Sequence, residues 1–138
     1  MATLQVDIVA AEGQIYSGEA TAVFAPAIEG ELGILPRHAP LLTRLKPGAV
    51  RVRNGDAEQA FFVGGGILEI QPKLITILAD SALRAEHADE AAALAAQKSA
   101  ADKLAGAKTE MDVAHAQQEL IEAAARLKFV QDLKKTSR

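Results

Sequence analysis

Apolar and polar residues alternate along the first half of the chain and then stop alternating. Leu4, Val6 and Ile8 alternate with Gln5 and Asp7, Val50 and Val52 with Arg51 and Arg53, and Leu68 and Ile70 with Glu69 and Gln71. A period of two puts one set of side chains in a core and the other in water, so these runs predict strands. Asn54-Gly55 separates two such runs and predicts a hairpin, because both residues tolerate the positive φ of a type I′ turn. Pro26, Pro36, Pro40, Pro47 and Pro72 break any long helix in this half. No helix-length segment separates the strands, which argues against an α/β fold and for a sandwich or barrel.

Near Asp80 the period becomes helical and proline disappears. Asp89 and Glu90 open an alanine-rich stretch, with acids where the N-terminal helix dipole favours them. A first helix is expected over 89–105, with Gly106 as its C-cap. A second is expected over 112–134, with an apolar stripe of Val113, Ala116, Leu120, Ala123, Leu127 and Val130. The short link makes the two helices antiparallel neighbours. The expected architecture is an all-β sandwich N-terminal domain (residues 1–84) followed by a C-terminal antiparallel α-helical hairpin (residues 85–138). Alanine stands where leucine is usual. Each buried CH₂ stabilises by about 0.8 kcal/mol, so alanine contacts hold the hairpin weakly although its helices form readily. That combination suits a hairpin able to detach and refold elsewhere.

Composition narrows the function. The 138 residues carry a net charge of -3, no cysteine, no tryptophan, one tyrosine and four phenylalanines. Disulfides and zinc–thiolate sites are excluded. Mild acidity and scarce aromatics argue against nucleic-acid binding. No apolar run approaches the roughly 20 residues that span a bilayer, and Met1 to Gln5 do not look like a signal peptide. The expected location is the cytosol, or a membrane periphery reached through a partner.

No residue pattern forms a credible catalytic or metal site. Gly64-Gly65-Gly66 is followed by Ile67-Leu68-Glu69-Ile70, a strand pattern, where a phosphate loop requires Gly-Lys-Ser/Thr and a helix. The glycines are expected to allow a bulge or a close backbone approach. His38, His87 and His115 lack metal-ligand spacing, and Glu29 and Glu31 flank Gly30 in an expected solvated turn. Arg126, Lys128, Lys134, Lys135 and Arg138 face a single nearby acid, Asp132. They compensate the helix dipole or meet an acidic partner surface; the residues alone favour neither.

Three segments carry a resemblance: Glu29 to Thr43, continuing into Leu45-Lys46-Pro47-Gly48; Gly64 to Pro72; and Thr76-Ile77-Leu78-Ala79-Asp80. In order and spacing the chain resembles the epsilon subunits of bacterial F-type ATP synthases over essentially its whole length. The resemblance implies a non-catalytic central-stalk (rotor) subunit of a proton-translocating ATP synthase, peripheral at the cytoplasmic face of the bacterial inner membrane. It implies a sandwich bound to the gamma subunit and the c-ring, with the turn holding Glu31 and His38 facing that ring. It implies a hairpin that folds beside the sandwich or extends along gamma into the alpha/beta catalytic head, inhibiting hydrolysis. Arg126 and Lys128, with Lys134 and Lys135 on the same basic helix, would then meet acidic segments of beta, since the basic segment lacks an internal partner.

Some relatives bind ATP on the hairpin through an apolar residue, Asp, two variable residues, Arg and Ala. The matching stretch is Ala88-Asp89-Glu90-Ala91-Ala92-Ala93. Asp89 is kept, Ala92 replaces the arginine, Arg126 matches a second basic position and Glu122 reverses another. Weak or no ATP binding is expected, and no cofactor or metal. Two other readings fit the residues: a stand-alone adaptor binding protein through its Gly–Pro turns, and a small enzyme with a site in the β domain.

Overall fold

The computed structural model describes residues 2–136. It divides into two compact units, the chain up to Glu86 and the chain from His87 onward. The sequence placed this change at 84/85; a short 3-10 turn, Ala85–His87, spans the observed division.

The first unit contains β1 (Leu4–Ala10), β2 (Gly13–Ala20), β3 (Ala22–Ala27), β4 (Gly30–Ile34), β5 (Leu41–Asn54), β6 (Ala57–Ile70), β7 (Leu74–Ala79) and β8 (Ala82–Arg84). They are hydrogen-bonded in the order β2-β1-β7-β6-β5-β3-β4, with β8 also on β6. All pairings are antiparallel except β1 with β7. The two 14-residue strands β5 and β6 run through both layers of the β-sandwich. On its side away from β5, β6 pairs β8 through Phe61–Val63 and β7 through Gly66–Ile70. Both halves serve one core, which joins Val6, Ile8, Val23, Ile34, Val50, Phe61, Leu68, Ile75 and Ile77.

The triple glycine sits where β6 changes neighbours. Gly65 and Gly66 have φ of 102° and 140°, a backbone that L side chains rarely adopt. The inward-facing set changes parity across them, from Phe61 and Val63 to Leu68 and Ile70. On β5 it changes likewise, from Leu45 to Val50 and Val52, where Pro47 lies opposite Gly64. A Cβ on Gly66 would lie 2.2 Å from the Leu78 carbonyl oxygen of β7. Gly66 thus serves the close backbone approach that the sequence suggested for the triple glycine.

The β5–β6 hairpin forms where expected, with a different turn. Asn54 pairs with Ala57, so the two-residue loop is Gly55-Asp56 rather than Asn54-Gly55. Only Gly55 has positive φ (63°), the pattern of a type II′ turn, which places glycine first. The strand register, not the Asn-Gly pair, decides which residues turn.

The second unit is a helical hairpin, α1 (Glu90–Ala105) and α2 (Glu110–Thr136). Asp89 caps α1, its carboxylate accepting from the Ala91 N–H at 3.0 Å. Gly106 is the C-cap of α1, as expected, in a right-handed conformation (φ -93°), its N–H donating to the Asp102 carbonyl. The helix stops without needing glycine's special freedom. The second helix begins two residues early because Thr109 caps it, its hydroxyl accepting from the Asp112 N–H at 3.0 Å. Ion pairs Glu90–Lys134 (2.6 Å) and Lys103–Glu119 (3.2 Å) join opposite ends of the two helices and establish the antiparallel arrangement. Of the expected stripe, Ala116, Ala123, Leu127 and Val130 are buried; in α1 only Ala93 and Ala100 are.

Gly66→Ala is expected to destabilise the sandwich by about 3 kcal/mol or more, because it adds backbone strain to a clash with main chain that cannot give way. Urea unfolding followed by circular dichroism measures this; an unchanged midpoint would show that β7 can move aside.

Candidate functional site

The chemistry-bearing residues lie on three surfaces. The first is around β4 and the turn that follows it. Ala27 pairs with Gly30, leaving Ile28-Glu29 as the loop, and Gly30 (φ 130°) returns the chain into β4. Glu31 therefore stands on a strand opposite Pro26, not in the turn where the sequence reading placed it. Its carboxylate pairs with Arg51 at 3.3 Å; Arg51 also reaches Glu58 at 3.5 Å and lies 4.5 Å from the centre of the Phe24 ring. Arg53 pairs with the same Glu58 and also covers Phe24. Surface pairs of this kind contribute about 0–1 kcal/mol each, so the cluster orders side chains more than it stabilises the fold.

His38 is in the turn proper. Its Nδ1 donates to the Ala39 carbonyl at 2.7 Å, which keeps the proton of the neutral ring on Nδ1. Glu31 and His38 are thus held by different partners. Around them Leu35 (62% exposed), Leu42 (68%) and Ile28 (54%) offer apolar side chains to solvent. Sequence reasoning did not single these out, because an apolar residue beside a proline turn gives no sign of its own exposure.

The second surface is the outer face of β1, β7 and β6. Cross-strand pairing lines up Val9, Leu78 and Ile67, with Arg44 next on β5. Leu78 and Ile67 are 51% and 43% exposed, giving an apolar row flanked by charge. Sequence reasoning did not single out this row, because only strand register makes Val9, Leu78 and Ile67 neighbours.

The third surface is on the hairpin. The sequence reading left the basic segment without internal partners, and the structure corrects this. Lys128 pairs with Asp132 at 2.9 Å and Lys134 with Glu90 at 2.6 Å. Antiparallel packing brings Glu90 of α1 beside Lys134 of α2, a pairing invisible along the chain, whereas Lys128 and Asp132 are one turn apart on α2. Lys135 is exposed. Arg126 borders a shallow groove of about 280 Å³ with Ala96, Ser99, Lys103, Glu119 and Glu122; its Nε is buried and has no hydrogen-bond partner among the described residues. Asp89 is not brought to Arg126. It caps the start of α1, seven residues before Ala96, or about 10 Å at 1.5 Å per residue. Among the described residues no cluster of three or more His, Cys, Asp or Glu could hold a metal.

Glu119 joins the helices. Its carboxylate takes Lys103 on one oxygen and the His115 Nε2, at 3.0 Å, on the other. The hydrogen bond from Lys103 leads the causes that hold its pKa below the ordinary 4.5, with the charges of Lys103 and His115 adding to it against partial desolvation.

The family described as "ATP synthase, Delta/Epsilon chain, beta-sandwich domain" matches residues 3–85. The chain is 54% identical to the ATP synthase epsilon chain of Halorhodospira halophila, over 100% of this chain and 99% of that one. It belongs to the ATP synthase epsilon chain family. The epsilon chain of Acidithiobacillus ferridurans is 56% identical over 96% of this chain and 94% of its own. That of Hydrogenovibrio crunogenus is 53% identical over 96% and 92%. Among solved structures, a chain of the Euglena gracilis mitochondrial ATP synthase superposes with a TM-score of 0.77 at 18% identity, covering 100% of this chain and 83% of that one. A chain of the Tetrahymena thermophila mitochondrial ATP synthase central stalk and c-ring gives 0.59 at 15% identity, covering 99% and 98%. At such identities these likenesses speak for the fold alone. An epsilon chain is a non-catalytic subunit of ATP synthase.

The lowered pKa of Glu119 sets a sign. The Lys103–Glu119 contribution to hairpin stability is full above the ordinary 4.5 and is lost as pH falls through the lowered folded-state value. A carboxyl NMR titration should place the Glu119 midpoint below 4.5, and Lys103→Ala should move it back up. A midpoint indifferent to Lys103 would contradict the assigned cause.

Proposed function

We propose that this chain is the central-stalk subunit that couples the rotor of a proton-translocating ATP synthase and restrains hydrolysis through its hairpin. The observation that carries this reading is full-length similarity to epsilon chains, covering the hairpin as well as the sandwich. In it the sandwich anchors the chain to gamma and to the c-ring. The turn with His38, beside the exposed Leu35 and Leu42 and the ion-paired Glu31, faces the ring. The chain reaches the cytoplasmic side of the bacterial inner membrane only through the complex. No helix among the described residues is long and apolar enough to cross a membrane.

The hairpin is the moving part. Its first helix fully buries only Ala93 and Ala100, so releasing it forfeits little apolar contact. Met111 (82% exposed), Ile121 (55%) and Leu94 (49%) remain available for new contacts. When the hairpin extends toward the alpha/beta head, Arg126, Lys128, Lys134 and Lys135 meet acidic surface on beta. Lys128 and Lys134 first exchange their internal partners Asp132 and Glu90. That exchange makes the switch responsive to salt. Moving it from mostly closed to mostly extended takes about 5.5 kcal/mol of differential contact, which the partner surfaces supply.

ATP hydrolysis by the purified catalytic head, with the full chain or a form ending at Glu86, tests the restraint. Ending there keeps β8 and the bond from Arg84 to the Ile15 carbonyl. Inhibition by the full chain alone, with both forms bound to gamma, is expected. Equal rates would leave a coupling subunit without a brake, and failure of both to bind gamma would remove the reading.

The hairpin binds ATP weakly or not at all. Asp89 is spent as a helix cap, Ala92 brings no charge, and Glu122 lies in the groove that Arg126 borders. Millimolar ATP is expected to leave the melting temperature of the full chain unchanged; a clear rise would overturn this.

A further inference from the structure

A cleft of about 330 Å³ opens on the sandwich where the β4–β5 turn meets the β6–β7 turn. Two main-chain bonds build it. The Arg37 N–H donates to the Pro72 carbonyl at 3.1 Å, and the Gln5 N–H to the Lys73 carbonyl at 2.8 Å. Segments distant in sequence are thereby held together, and Arg37 and Lys73 both line the cleft. Among the described residues, no ion pair or side-chain hydrogen bond engages either cation.

Arg37 is also the only described non-glycine residue with positive φ (69°). A left-handed arginine is strained, and such strain persists where the surrounding structure holds it and gathers at functional positions. Here the bond to Pro72 holds it. Glu19 stands on another wall, and Leu4, Pro36 and Pro72 supply apolar surface. Two cations against one carboxylate leave a single positive charge, matched by a monoanion. The planar fork of arginine and the ammonium of lysine suit tetrahedral phosphate oxygens. The apolar wall suits a ligand carrying carbon on both sides of its phosphate.

We propose that this cleft binds a phosphodiester monoanion through Arg37 and Lys73. Two sources present that chemistry, an anionic phospholipid headgroup and a soluble phosphodiester. Glu19 disfavours dianions, the doubly charged form of inorganic phosphate among them.

The test uses the full chain. Backbone amide shifts are followed by NMR during titration with glycerophosphoglycerol and, separately, with inorganic phosphate. Sedimentation is measured with phosphatidylcholine vesicles, with and without phosphatidylglycerol. Shifts centred on Thr3, Arg37 and Lys73, stronger for the diester, are expected. Lys73→Ala and Arg37→Gly should each weaken binding by about tenfold, the loss of one charge-assisted contact. Arg37→Gly relieves strain, so a failure to fold does not confound it. Glu19→Gln should admit inorganic phosphate. Co-sedimentation that needs phosphatidylglycerol and both cations assigns a lipid source, and diester shifts without co-sedimentation assign a soluble one. The proposal is overturned if the diester moves no amide of the cleft. It is equally overturned if Arg44→Ala with Lys46→Ala, removing cations elsewhere on β5, weakens binding as much.

Discussion

The close approach of β6 to β7 at Gly66 is the constraint on which the rest of the sandwich depends. With the Leu78 carbonyl where a Cβ would be, β6 takes a conformation open only to glycine and leaves one neighbour for another. Its first half then pairs β8 and its second half β7, while β5 follows it throughout. The change of parity on both strands keeps Phe61, Val63, Leu68 and Ile70 facing one core. Without it, a strand of this length would turn half its apolar side chains to water.

The two units are stabilised differently. The sandwich buries branched aliphatic side chains such as Ile8, Ile34, Ile70, Ile75 and Ile77 almost completely. The hairpin buries mostly alanines, with Leu127, Phe129 and Val130 near the end of α2, and adds helix propensity and caps from Asp89 and Thr109. Propensity and caps survive if a helix moves to a new surface, whereas close-packed isoleucines do not survive separation. The two units therefore differ in kind: branched aliphatic packing in the sandwich, and a smaller, mostly alanine-lined contact in the hairpin.

Charge follows the same division. On the sandwich, Arg51, Arg53, Glu31 and Glu58 neutralise each other over Phe24, so that face is ordered without offering net charge. On the hairpin, Lys128 and Lys134 are already paired, and any acidic partner must compete with Asp132 and Glu90. Desolvation and geometry decide whether such a pair holds against a competing charge.

Periodicity by itself determined the two-part plan, because alternation and helical spacing are local consequences of backbone geometry. It also located the hairpin turn to within a residue, the apolar stripe of α2 and the role of the triple glycine. Composition and spacing excluded a phosphate loop, since no helix follows Gly66. What needed the tertiary structure was everything set by register. Pairing of Asn54 with Ala57 moved the turn onto Gly55, and pairing of β4 with β3 carried Glu31 out of the loop onto Arg51. Antiparallel docking of α1 supplied Lys134 with Glu90 and kept Asp89 away from Arg126. The meeting of Arg37 with Lys73 came from two main-chain bonds between distant turns. Local preference decides which elements form. Which side chains become neighbours is decided by long-range pairing, where the energy lies in buried contacts and hydrogen bonds that no short window of sequence contains.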